Sequence, residues 1–242
     1  MYQTCPMDKN VVLQIGTACP DLALQAGLHM YQDYDALDVN MGCPVHFSTS
    51  GGMGSALLKQ PEKIKNILTN LVKNIPDKSI TCKIRLLATL EETLDLVKMI
   101  ESTGVSAIAV HARYVSQRPR EPALLDQLHH VVSSVSIPVI ANGDAFDVTD
   151  FERIKQLTHC DSVMYARGAL WNPSIFSDEM THRHECARHL ITYCKRYNTH
   201  FLNCKYMLQR MLDQHESAGP QFKAVVQSRT YQDLYTIFET HS

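Results

Sequence analysis

Short apolar runs recur along the chain. Each is followed by a longer stretch in which apolar residues return every three or four positions. The runs are Val11–Ile15, Ala36–Val39, Ile80–Ile84, Ala107–Val110, Pro138–Ala141 and Ser162–Tyr165. They are rich in Val and Ile and nearly continuous, which predicts parallel strands covered on both faces. The stretches Pro20–Tyr31, Pro61–Asn74, Leu90–Thr103, Ala123–Val132 and Thr149–Thr158 predict helices. Their starts carry Pro, or Asp and Thr, as helix starts commonly do. Gly104, just past one of them, suits a left-handed cap. This alternation of strand and helix predicts a parallel α/β architecture.

The pattern changes near residue 178, where strands stop. Stretches 183–197, 201–214 and 221–239 read as amphipathic helices, with Gly219-Pro220 between the last two. The expected organisation is a barrel-like domain over 1–178 and a small helical domain over 179–242. Six strand–helix units leave two architectures open. A closed (β/α) barrel has eight units. A doubly wound sheet would carry GxGxxG after its first strand, and that signature is absent.

Polar residues at the strand ends favour the barrel. Gln14 precedes Gly16-Thr17, the second strand runs into Asn40-Met41-Gly42-Cys43-Pro44, and the third ends in Lys83-Ile84-Arg85. The fourth ends in His111-Ala112-Arg113, the fifth in Asn142-Gly143-Asp144, and the sixth in Ala166-Arg167-Gly168. In a barrel these ends share one mouth, where active sites lie. The last two turns suit a phosphate, although their glycines equally suit tight turns. Lys83, His111 and Gln14 suit the edge of a planar ring, and together the set suits a phosphate-bearing planar cofactor, most simply FMN. Cys43, between Gly42 and Pro44, has three readings: a protonated thiol acting as general acid, a nucleophile activated by His111, or a buried core residue. The loop Ser48–Gly54 lacks the GK[ST] ending of a phosphate loop and reads as a flexible segment.

Composition changes this picture little. The 242 residues suit one large domain or a domain with an appendage. No run of 18 apolar residues occurs, and the start MYQTCPMDKN lacks an apolar stretch, so a protein of the cytosol or nucleus is expected, most simply a cytoplasmic one, with no membrane contact. Eight cysteines without a CxxC pair predict free thiols and no metal site. His184-Glu185 opens like a zinc-protease motif but meets Arg188 where the second His belongs. The net charge of −2 argues weakly against nucleic acid. Locally, however, residues 181–210 hold six cations (Arg183, Arg188, Lys195, Arg196, Lys205, Arg210) against Glu185 alone, interleaved with Tyr193, Tyr197, Phe201 and Tyr206. That mixture suits an RNA-contacting surface, or a solvated helix face.

Taken in order, Asn40–Pro44, Lys83–Arg85, Val110–Arg113, Ile140–Asp144 and Ala166-Arg167 resemble the tRNA-dihydrouridine synthase family. The segments Ser48–Leu58 and Trp171–Phe176 look like its eukaryotic branch acting on uridine 20 of the D-loop. The resemblance implies a flavoprotein oxidoreductase: an FMN-binding TIM barrel followed by a helical tRNA-binding domain, in a monomer that takes electrons from NADPH. It implies FMN contacts at Gln14, Lys83, His111, Asn142, Gly143, Asp144, Ala166 and Arg167. It places Asn40, Arg85 and Arg113 near the target uridine and makes Cys43 the proton donor. The family has Gly at the position of Asp144, where a carboxylate would repel a phosphate unless turned away. Its first two strands have no counterpart here, so a barrel shortened at its start is expected. The alternative is an inactive fragment or relative that at most binds RNA.

Overall fold

The computed structural model describes residues 7–177, 179–216 and 219–239. Two compact units emerge. The first runs to Asp144 and includes Phe151–Met164; the second comprises Ala145–Asp150 and the described residues from Tyr165 onward. The elements up to the sixth strand are, in chain order, β1 (Val12–Ile15), α1 (Pro20–His29), β2 (Ala36–Asn40), α2 (His46–Ser50), α3 (Pro61–Asn74), β3 (Ser79–Leu86), α4 (Leu90–Glu101), β4 (Ala107–Tyr114), α5 (Leu125–Val132), β5 (Val139–Asn142), α6 (Asp150–Thr158) and β6 (Ser162–Met164). The six strands form one sheet in the order β1-β2-β3-β4-β5-β6, all parallel. A doubly wound sheet reverses its order at a switch point. This one never reverses, which is the succession of a (β/α) barrel.

Local sequence explains the elements. Helix α3 starts at Pro61, and its Ile64, Ile67, Leu68 and Leu71 are buried at helical spacing. Helix α4 begins with a capping box, in which Thr89 accepts from the Glu92 amide and Glu92 reaches back to the Thr89 amide. Gly104 has φ 86, the left-handed cap the sequence called for. Helix α5 starts at Leu125 rather than Ala123; the two amides before it bond elsewhere, Ala123 to the Asp144 carboxylate and Leu124 to Ala112 O.

Two expectations need correcting. Strand β3 is not covered on both faces, whereas consecutive residues are buried in β2 (Leu37, Asp38, Val39) and in β4 (Ile108, Ala109, Val110). In β3, Ile80, Cys82, Ile84 and Leu86 are buried, while Thr81, Lys83 and Arg85 stay partly exposed on the other face. The hydrophobic runs hid this alternation because the aliphatic stems of Lys and Arg sit comfortably beside apolar neighbours. The loop after Cys43 is not a loose segment either: it folds into α2 and a 3-10 helix over Gly54–Lys59.

The second unit contains α7 (Arg167–Trp171), a 3-10 turn at Pro173–Phe176, α8 (Arg183–Arg196), α9 (Phe201–Glu216), α10 (Pro220–Gln227) and α11 (Tyr231–Glu239). Stretch 221–239 is thus two helices, not one. Asp233 accepts from the amides of Arg229 and Thr230 and so caps a new helix after Ser228. The unit has its own core of Ile191, Cys194, Cys204, Leu208, Leu212, Val225, Leu234 and Phe238. The seven described cysteines are free thiols, and Cys5 lies outside the described residues. No described helix is long and apolar enough to cross a membrane.

Burial sets the cost of truncation. Leu68 is 0 % exposed and Leu157 is 54 % exposed. Leu68→Ala is expected to lower stability by about 2–5 kcal/mol, and Leu157→Ala by less than about 0.5 kcal/mol. Urea unfolding midpoints check this, and equal losses would contradict the assigned packing of α3.

Candidate active site at the strand ends

The polar strand ends of the first unit form a bonded set. It begins with Asp38, buried in the middle of β2. Its carboxylate accepts from Gln14 Nε2 at 2.8 Å and from Thr81 Oγ1 at 2.7 Å. Burial raises its pKa, while these bonds and the nearby Lys83 work against the rise. Gln14 Oε1 in turn accepts from Asn40 Nδ2 at 2.9 Å. Asn40 Oδ1 then accepts from the amides of Gly42 at 3.1 Å and Cys43 at 3.0 Å. The other side of the turn is held as well. Arg85 Nε donates to Gly42 O, and the Ser55 amide donates to Cys43 O, both at 2.9 Å. Cys43 is therefore partly exposed on a turn fixed from two sides. Gly54 completes the turn at φ 58, where an added Cβ would lie 2.5 Å from Cys43 O.

Lys83 and His111 come next around the rim. The Lys83 ammonium has no hydrogen-bond partner among the described residues, and burial followed by repulsion from Arg85 lowers its pKa to about 8. His111 is pulled to about 3 by burial and then by Lys83, Arg85 and Arg113, with Asp144 opposing. The ring is neutral at physiological pH. Asn142 sits on β5 beside His111 in register and donates from Nδ2 to Met164 O. Gly143 has φ 141, and an added Cβ there would meet the Ala123 side chain at 2.9 Å.

Arg113 and Asp144 bond chiefly to the protein itself. Arg113 is 2 % exposed and its donors face inward. Nε bonds Glu121 O, Nη1 meets His111 Nε2, and Nη2 bonds Pro119 O and the Asp144 carboxylate, the last at 2.5 Å. Four of its five donors are engaged, which leaves little with which to grip a substrate. Asp144 turns its carboxylate to Arg113 and the Ala123 amide, so the expected repulsion of a phosphate is answered by an internal partner. Its φ of 50 is left-handed, a conformation that suits Gly and costs other residues roughly 1–2 kcal/mol.

Ala166 and Arg167 belong to the second unit. Ala166 precedes α7, and the Arg167 guanidinium lies 4.8 Å from the Phe146 ring and 5.9 Å from the Trp171 ring, which stack on each other. In the helical stretch, Arg188, Lys195 and Arg196 are exposed, as are Tyr193 and Tyr197, which stack. Lys205 is committed elsewhere, donating to Val226 O and Ser228 O at the end of α10. His184 meets the Phe238 ring edge-on. The sequence reading missed Asp38 and Thr81. An Asp within an apolar strand was the available signal.

A rim of cations, a neutral imidazole and a backbone-held cysteine at the carboxyl ends of sequential parallel strands is an active-site arrangement of barrel-type α/β proteins. The family model described as Dihydrouridine synthase (Dus) matches residues 1–235. The chain belongs to this family. The tRNA-dihydrouridine(20) synthase (NAD(P)+) of Schizosaccharomyces pombe is 35 % identical over 99 % of this chain and 51 % of that protein. The protein of the same description from Saccharomyces cerevisiae is 34 % identical, covering 88 % of this chain and 60 % of its own length. An uncharacterized tRNA-dihydrouridine synthase-like protein of Caenorhabditis elegans is 33 % identical over 86 % of this chain and 74 % of that protein. The chain thus spans about half to three-fifths of the two yeast relatives. The fold is shared with a 4-hydroxy-tetrahydrodipicolinate synthase from Methylacidiphilum fumariolicum (TM-score 0.50, 13 % identity, covering 67 % of this chain and 56 % of that one).

Lys83 gives the site a testable signature. Its pKa is about 8 when folded against an ordinary 10.5. Between those values the unfolded chain binds more protons, so this group makes stability rise with pH across that window and adds no slope below or above it. Subtracting the urea midpoints of Lys83→Met from those of the wild type should reveal that rise. Parallel pH profiles would show that Lys83 is not desolvated.

Proposed function

We propose that the chain carries the catalytic part of a tRNA-dihydrouridine synthase, reducing a uridine of the D-loop to 5,6-dihydrouridine with FMN as cofactor and NADPH as reductant. The observation that carries this reading is the rim itself, where Cys43 stands on a fixed turn beside a neutral imidazole and an ammonium with no hydrogen-bond partner among the described residues. Donors of this kind fit a planar, carbonyl-bearing anion such as FMN. Lys83 supplies charge, His111 and Gln14 supply ring contacts, and Asn142, Gly143 and Asp144 shape the adjoining turn. A part for Ala166 and Arg167 in cofactor binding rests on the sequence resemblance alone. Asn40 and Arg85 stand next to the turn of Cys43, where the resemblance puts the uracil. Boundaries at 1–178 for the cofactor-bearing part and 179–242 for the tRNA-binding part belong to the same proposal, as does a cytoplasmic monomer.

When bound, FMN supplies hydride transfer, from NADPH to the flavin and from the reduced flavin to C6 of the uracil. The protein's part is to present the base, which must leave its stack, and to deliver a proton to C5 from Cys43 Sγ. The proton-donor role suits this thiol better than the nucleophile role. A nucleophile needs an activating base, and the accepting nitrogen of the His111 ring is already taken by Arg113 Nη1 at 3.1 Å.

Cys43→Ala should lower dihydrouridine formation by about 10²–10⁴-fold, while the flavin absorbance of the purified protein stays unchanged. Full activity in that variant would end the assignment. On the helical side, the exposed Arg188, Lys195 and Arg196 would neutralise phosphates, so tRNA affinity should fall log-linearly with salt. Reversing all three charges should weaken tRNA binding and flatten that dependence without altering the flavin spectrum. A salt-independent binding constant in the wild type would place the RNA surface elsewhere.

A further inference from the structure

Arg113 is the most deeply buried cation of the rim, and its contacts imply more than support. Its Nη1 lies 3.1 Å from His111 Nε2. A guanidinium only donates, having no acceptor atom. The ring nitrogen facing it must therefore be the acceptor, and a neutral imidazole then carries its one proton on Nδ1. The guanidinium cannot swing aside to let the tautomer change. Nε is held by Glu121 O, and Nη2 by Pro119 O and the Asp144 carboxylate. Asp144 is itself pinned by the Ala123 amide at 2.7 Å.

We infer that Arg113, clamped by Asp144, is a positioning residue that fixes His111 as a neutral ring with its proton on Nδ1, a permanent N–H donor at the cofactor site. This rests on the flavin reading above and assigns Arg113 a role different from substrate contact. The charged groups acting on the ring are Lys83, Arg85 and Arg113, which resist a second proton, and Asp144, which favours it. The cations and burial win, so the donor does not switch within the physiological range. A ligand at this site would meet a hydrogen-bond donor from His111 and never an acceptor from Nδ1. That selects a carbonyl oxygen or an unprotonated ring nitrogen as its partner.

The test is nitrogen NMR on chain labelled with ¹⁵N-histidine, with the His111 signals assigned by their loss in His111→Gln. The wild type should show one neutral tautomer, protonated at Nδ1, without titration between pH 5 and 8. In Arg113→Met the ring should gain the Nε2-protonated form and begin to titrate within that range. Arg113→Lys keeps the charge without the fork and should mix the tautomers with no titration, which guards against a fold lost in the Met variant. Asp144→Asn has one oxygen where Arg113 and Ala123 use two, so its NH₂ must face one of these donors; it should loosen the clamp and admit some of the Nε2-protonated form. FMN affinity, read from quenching of flavin fluorescence, should fall about tenfold in Arg113→Met, the worth of one hydrogen bond to a polar ring, and should acquire a pH dependence the wild type lacks. A wild-type ring protonated at Nε2, or a tautomer indifferent to Arg113→Met, would overturn the inference. A wild type that binds no FMN yet shows the Nδ1 tautomer would overturn the flavin reading and leave the role of Arg113 in fixing the ring intact.

Discussion

Parallel strands in sequential order must all end on the same rim, and the rest of the site depends on that constraint. It brings Lys83, Arg85, His111 and Arg113 from two adjacent strands into one small region. Three cations in so little space repel one another and resist burial. The arrangement holds because two carboxylates stand at its flanks. Asp38 lies beside Lys83 and orders Gln14 and Thr81, while Asp144 takes the guanidinium of Arg113. Acidic residues sparse enough to leave the rim positive, yet placed where cations crowd, let the strands end in chemistry rather than in apolar packing.

The polar residues divide by how much of their bonding capacity the protein itself consumes. Arg113, Asp144 and Lys205 spend theirs on carbonyls, amides and each other. Gln14 and Asn40 are bonded at both ends of their amides. Lys83 is the contrast, since its ammonium keeps its charge near neutrality without a hydrogen-bonding partner among the described residues. A group that has lost water without gaining a protein partner is poised to gain free energy from a ligand.

Much of this was legible in the sequence. Apolar runs and helical periods located six strands and the helices between them, because burial under helices demands Val and Ile at fixed spacing. Residues at strand ends were legible for the same reason, as Lys83, His111 and Cys43 interrupt apolar runs where a core would not choose them. Side-chain partnerships were not legible. Nothing in the spacing of Arg113 and Asp144, 31 positions apart, announces an ion pair, and it arises only because β4 and β5 lie side by side in register. The break at Ser228 was hidden too, since Asp233, inside α11, bonds back to the amides of Arg229 and Thr230. The order in the segment after Cys43 comes from contacts such as Ser55 with Cys43 O, which glycine-rich composition does not disclose.

The bonds that run from Asp38 to Cys43 have a direction. The carboxylate can only accept, so Gln14 must turn its NH₂ toward it and its oxygen toward Asn40. Asn40 must then offer NH₂ to Gln14, which leaves its oxygen for the amides of Gly42 and Cys43. Each amide is oriented by the one before it, like coins laid heads to tails, and the first is set by a charge. Aspartate at position 40 could keep both backbone bonds but has no hydrogen to give Gln14. Glutamate at position 14 would set two carboxylates against each other at Asp38. The polarity of the turn bearing Cys43 is thus written some distance away, in a strand interior, by one buried negative charge.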